Sequence, residues 1–145
     1  MKSLPLNPFF ASASATLVIA AAAGWYQPAV AQAVPPAATQ TTVERGVTVK
    51  VTPRMFSGSV WEFAVVLDTH AEDLKDDLQK TAMLVVDGLE VQPVAWQGPG
   101  AGGHHREGTL TFAAPVGATG TVELRIKRAG ESTPRVFRWD TAALK

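Results

Sequence analysis

The sequence predicts an antiparallel β-sandwich of immunoglobulin-like size, with about seven strands and one short helix. Three observations predict it. Apolar and polar residues alternate with a period of two through most of the chain. Turn pairs built on Gly, Pro, Asp and Ser separate these runs at short intervals. Only one segment carries helical spacing. There is no Cys–Trp–Cys signature, so true immunoglobulin membership is not implied. A small closed β-barrel is the alternative architecture.

The elements follow in order. Val47, Val49 and Val51 alternate with Thr48 and Lys50, which is a strand with one buried face, and Pro53 ends it. Ser57-Gly58-Ser59 turns the chain. Trp61, Phe63, Val65 and Leu67 then share one face of a second strand. Val60, Ala64 and Val66 share its other face with Glu62, so this strand is expected to be central and covered on both sides. Thr69 and Glu72 have capping-box spacing, and Leu74 and Leu78 lie four apart. Together they predict a helix of about two turns crossing between sheets. Ala82–Val86 is a short strand, Asp87-Gly88 a tight turn, and Leu89–Trp96 the next strand. Pro93 places part of that strand at an edge or a bulge. After the glycine-rich loop from Gly98 to Gly103, Thr109–Ala113 points Leu110 and Phe112 inward. Val122, Leu124 and Ile126 repeat the alternation. Ala129-Gly130 turns, and Val136–Trp139 closes the fold with Phe137 and Trp139 on one face.

The first 33 residues read as a signal peptide. Lys2 gives a weakly positive start, an apolar run extends from Ala11 to Ala23, and Ala31-Gln32-Ala33 offers a small-x-small cleavage pattern. The competing reading is an uncleaved anchor. A spanning helix needs roughly 20 apolar residues, and Ser12, Ser14 and Thr16 interrupt this run. The expected location is therefore periplasmic or secreted, with no membrane span after cleavage. Residues 34–42, VPPAATQTT, read as a Pro/Thr-rich linker, and residues 43–145 as a single β-sandwich domain. The chain has no cysteine, which excludes disulfides, thiolate metal sites and lipoprotein anchoring.

Beyond Ala33, 12 basic residues face 13 acidic ones, so nothing suggests a nucleic-acid partner. The signs are segregated. Residues 62–90 are acidic and residues 125–138 basic. The simpler interpretation is that these regions attract each other within the fold rather than forming a charged docking surface.

All three histidines fall at two places: His70 within LDTHAEDL, and His104-His105 within GGHHREGTLTF. With Trp96 between them, these strings resemble an uncharacterised family of small exported bacterial proteins with the pattern LDTHxxDL, then W, then GGHHRxGxLxF. The resemblance implies export and carries no activity. From the residues themselves, imidazoles clustered at one pole point to a transition-metal site for copper or zinc, with His70, His104, His105 and Asp68 as ligands. Glu72, Asp73, Glu107, Met55 and Met83 are further candidates. Strand parity extended back from Leu110 and Phe112 puts His104 and Arg106 on the core side, and His105 and Glu107 outside. The competing reading is structural: His104 bonds a loop carbonyl, and Arg106 pairs with a carboxylate of the acidic helix.

Other chemistry is poorly supported. The acidic residues near His70 lack the glycine and distal glutamate of a calcium loop. The glycine loop opens no helix, so it lacks the geometry of a phosphate cradle. It reads instead as a flexible flap or turn around the histidines. Ser57, Ser59 and Ser132 sit in no nucleophile elbow, so no enzyme is expected. The sequence therefore leads to a non-enzymatic exported binding or accessory module, with another envelope protein as partner and a transition metal held by histidines. The alternative is a structural or protein-interaction domain with no metal.

Overall fold

The computed structural model describes Ser3 and residues 38–144. The expected signal peptide, Ser3 apart, and the first four linker residues lie outside the described residues. Nine strands and one short helix follow: β1 (Gln40–Glu44), β2 (Val47–Met55), β3 (Val60–Thr69), α1 (Leu78–Thr81), β4 (Ala82–Val86), β5 (Leu89–Val91), β6 (Pro93–Gln97), β7 (His105–Ala113), β8 (Thr121–Ile126) and β9 (Arg135–Asp140). They pair antiparallel in two open sheets, ordered β1-β2-β3-β7-β6 and β5-β4-β8-β9. The architecture is a sandwich, not a closed barrel.

The alternation rule holds strand by strand. Val47, Val49 and Val51 are fully buried, as are Phe63, Val65 and Leu67 on β3. Leu84 on β4, Leu110 and Phe112 on β7, Val122, Leu124 and Ile126 on β8, and Phe137 on β9 complete the facing surfaces. β3 lies between β2 and β7, as expected of a central strand. Its second face is only half-buried, so it is shielded by its neighbours and not by another layer. Phe63 sits where the rings converge: Phe56, Phe112 and Trp139 all lie within 5.8 Å of it, centroid to centroid.

Three expectations are corrected. First, strand residues precede Val43. Gln40–Glu44 forms the edge strand β1, paired from Gln40↔Val51 to Glu44↔Val47. Arg45 and Gly46 make its two-residue turn, both at positive φ (50° and 78°), the mirror-image geometry that fits strand twist. β1 also stitches one side of the sandwich. The Gln40 side-chain amide donates to the Arg138 carbonyl and accepts from the Arg138 N–H, so it stands in for a neighbouring strand on β9. The Trp139 indole N–H donates to the Ala38 carbonyl. The expected linker 34–42 therefore contains strand residues.

Second, Leu89–Trp96 is two strands. Asp87-Gly88 forms the expected hairpin turn, both residues at positive φ. At Gln92 the chain leaves one sheet, and Pro93 begins β6 at the edge of the other. A register shift falls between Pro93 and Ala95, so the edge and the bulge both occur.

Third, the helix is one turn, from Leu78 to Thr81, and residues 70–77 are irregular. The capping box does not form. The Thr69 hydroxyl accepts from the Ala71 N–H and donates to the Gly46 carbonyl. Glu72 is drawn away to Arg128 at 2.9 Å. The Leu74 N–H and C=O are taken by Gly103 and Gly102, which leaves neither for a helix. Leu74 and Leu78 are still fully buried. Two leucines are too short an apolar stripe to outweigh those tertiary bonds.

Candidate functional site

The predicted site residues gather at one end of the sandwich, where β3 ends and β7 begins. Asp68 and His105 are cross-strand partners, and the Thr69 N–H donates to the His104 carbonyl at 2.9 Å. The segments carrying His70 and His104 are thus adjacent. Their side chains do not converge on an ion. His70, His104 and His105 are all exposed. The His105 Nδ1 lies 3.8 Å from Asp68, and its Nε2 lies 3.9 Å from Glu107, both beyond hydrogen-bond length. Among the described residues, no group of three or more His, Asp or Glu side chains could hold a metal. The expected copper or zinc site at His70, His104, His105 and Asp68 is therefore corrected. Glu72 is committed to Arg128, and Met83 belongs to the other sheet.

Parity explains part of this. Arg106 is buried and His105 and Glu107 point out, as expected. His104 is exposed rather than inward. Gly102 and Gly103 both adopt positive φ (121° and 74°), and β7 starts only at His105. The strand alternation therefore cannot be extended back through His104.

What fixes this pole is Arg106, which is 2 % exposed. It does not pair with a carboxylate. Its guanidinium donates to three backbone carbonyls: Leu74 at 3.3 Å, Asp76 at 2.6 Å and Pro99 at 3.1 Å. It also lies 5.7 Å from the centre of the Trp96 ring, where a cation is attracted to the aromatic face. The acidic segment and the glycine loop are thus tied to one side chain. Bonds from the Leu74 N–H to Gly103 and from the Gly102 N–H to Leu74 add a strand-like clasp. Of the two expectations for the glycine loop, a flexible flap or a turn, these bonds favour the turn.

Two glycines make room for this arrangement. Trp96 curls back over Gly98 and Gly108 while its indole N–H donates to Pro99. A Cβ on Gly108 would sit 2.5 Å from the Gln97 carbonyl oxygen and 2.7 Å from the Trp96 ring. The backbone oxygen cannot easily move. Gly108→Ala is expected to cost about 2–3 kcal/mol through overpacking. Gly100→Ala, with nothing within 4 Å of its Cβ, should be near neutral. Urea midpoints of the two variants check this.

Behind the pole lies a buried ion network. Arg128 bonds Asp76 through Nε at 3.0 Å and Glu72 through Nη2 at 2.9 Å. Asp76 also accepts from the Ala129 N–H at 3.0 Å. Glu131 accepts from Arg128 and from Arg135. Arg135, 2 % exposed, reaches across to the carbonyls of Val47 and Glu44. The segregated charges of the sequence do attract each other inside the fold. Burial opposes the charge on Arg128, but Glu72 and Asp76 more than offset it and raise its pKa.

The hydrogen bond from Arg135 holds the Glu131 carboxyl below its ordinary 4.5. A depressed carboxylate contributes stability that is complete above its unfolded value and fades as pH falls through the folded one. Stability is therefore expected to drop as pH is lowered below 4.5. Glu131→Gln should flatten that part of the profile, as read from urea midpoints between neutral and strongly acidic pH.

Sequence reasoning placed Arg106 inside but missed Arg128, Arg135, Asp76 and Glu131 as buried. The local spacing of Arg128, Glu131 and Arg135 hints at ion pairs, but their burial depends on Asp76, Val47 and Glu44, which lie far along the chain. No family model, curated protein or solved structure matches the chain. Among the described residues, no helix is long and apolar enough to cross a membrane.

Proposed function

We propose that this chain is an exported, non-catalytic accessory module that binds another protein of the cell envelope, without a metal, through the pole built by residues 68–77 and 98–107. One observation carries the reading. A buried arginine locks two irregular loops together. The surface it fixes displays Asp68, His70, Asp73, His104, His105 and Glu107, all exposed. Recognition favours such a preorganised surface, because the ordering entropy has been spent before the partner arrives. Export is supported by the apolar leader and the Ala31-Gln32-Ala33 pattern.

Site-specific photo-crosslinking in the native envelope tests this. A photoreactive residue at His104 is expected to give a discrete protein adduct. One at Val116, in the turn after the far end of β7, is expected to give none. Substituting His70 and His105 with alanine should weaken the His104 adduct while leaving the thermal midpoint unchanged. Equal adducts at both positions, or none at His104, would contradict the proposal.

A further inference from the structure

β1 is held in place mainly by polar bonds, since none of its side chains is buried. Beyond its ladder to β2, the Gln40 amide bonds the Arg138 backbone, and the Trp139 indole N–H donates to the Ala38 carbonyl. Arg135 donates to the Glu44 carbonyl and the Thr42 hydroxyl. The Thr39 and Thr52 hydroxyls meet at 2.9 Å. Lifting residues 38–44 away therefore costs mainly hydrogen bonds that water can replace, which places β1 among the parts of a fold that open locally. Beneath it lies a groove between β2 of one sheet and β9 of the other. Its walls select for this segment: a glutamine amide opposite the Arg138 backbone, one threonine hydroxyl at Arg135 and another at Thr52.

The hinge is the Arg45-Gly46 turn. Arg45 adopts φ 50°, a region that disfavours most residues with a Cβ and is best tolerated by Gly, Asn and Asp. The β4–β5 turn carries Asp87 at the same position. The conformational cost at Arg45 exists only while the turn is closed. An extended hinge removes it and joins β1 to β2 as one continuous strand. Short hinges under such strain favour exchange of the hinged element between copies.

We infer that β1 is an exchangeable strand, and that the groove between β2 and β9 takes residues 38–44 of a second copy of this chain. A second copy is the occupant the groove fits, because its β1 repeats the bonds outside the hinge with the same atoms. The exchange is reciprocal, so the dimer closes with two-fold symmetry. It is independent of the partner proposed for the histidine pole.

Thiol trapping on the purified full chain tests this, since the chain has no cysteine of its own. Thr39 faces Thr52 across the groove, so one chain carries Thr39→Cys and another Thr52→Cys. The two are mixed at high concentration, warmed to just below the melting point, cooled and oxidised. A disulfide-linked pair of chains is expected. The same treatment of Thr39→Cys with His104→Cys, at the other end of the sandwich, should give none. Light scattering on the cysteine-free chain should show a dimer after the same warming that persists on dilution. Gly46→Ala acts through φ alone, because its Cβ would lie 3.6 Å from that of Ala71, an ordinary contact. It should raise the dimer fraction at least threefold. Arg45→Asn, which suits the closed turn, should lower it at least threefold. The inference is overturned if the Thr39–Thr52 pair gives no more adduct than the His104 control. It is also overturned if the chain stays monomeric throughout, or if the two hinge variants leave the dimer fraction unchanged.

Discussion

Asp76→Ala is expected to destabilise the protein by about 3–5 kcal/mol, as breaking a buried ion pair leaves its partner charge uncompensated. The Asp76 side chain is 1 % exposed and that of Arg128 is 4 % exposed. Removing the carboxylate strips Arg128 of its Nε partner and leaves the Ala129 N–H without an acceptor. Glu72 is half exposed and Glu131 is shared with Arg135, so neither can replace it fully. The test is the urea midpoint at neutral pH. Adding Arg128→Met should recover part of the loss, because no unpaired cation is then left in the interior. A double variant worse than the sum of its parts would mean the network acts through shape and not charge.

Phe63→Ala should be comparably severe, at about 3–5 kcal/mol. Phe63 is fully buried on the central strand, with Phe56, Phe112 and Trp139 packed around it. Those rings come from separate strands or loops of both sheets, so they cannot collapse together into the space. The loss includes both the transfer term and the cavity term. Phe63→Leu should cost much less. A Phe63→Ala loss below about 1 kcal/mol would mean the inter-sheet core is far looser than described.

The core was legible because it depends on local period. Alternating apolar residues in Val47–Val51, Trp61–Leu67 and Val122–Ile126 dictate which side is buried, whatever the partners are. Asp87-Gly88 and Pro93 were legible for the same reason: each acts through its own backbone angles. β1 was not legible. QTTVE is polar at most positions, and β1's ties to β9 are side-chain bonds spanning nearly a hundred residues of chain. The helix was over-read because the capping signal of Thr69 and Glu72 is local, while Arg128 competes for Glu72 from 56 residues away.

The histidine pole shows the same division. The sequence could suggest that His70 lies near His104 and His105, since each flanks a strand and such loops can cluster at one pole of a sandwich. It could not tell that their side chains would face solvent, nor that the two terminal nitrogens of Arg106 would bond carbonyls rather than carboxylates. Both outcomes depend on the path of two loops that share no periodic pattern.

Arg106 fixes those loops into a preformed surface. Amide hydrogen exchange at Leu74 and Gly102, whose N–H groups form the clasp, tests it most directly. In the parent chain both amides are expected to be strongly protected, approaching sheet positions such as Val65 and Leu124. Arg106→Met should release Leu74 and Gly102 by at least tenfold in rate while Val65 and Leu124 stay slow. Rapid exchange of Leu74 and Gly102 in the parent chain, or protection unchanged by Arg106→Met, would contradict the account.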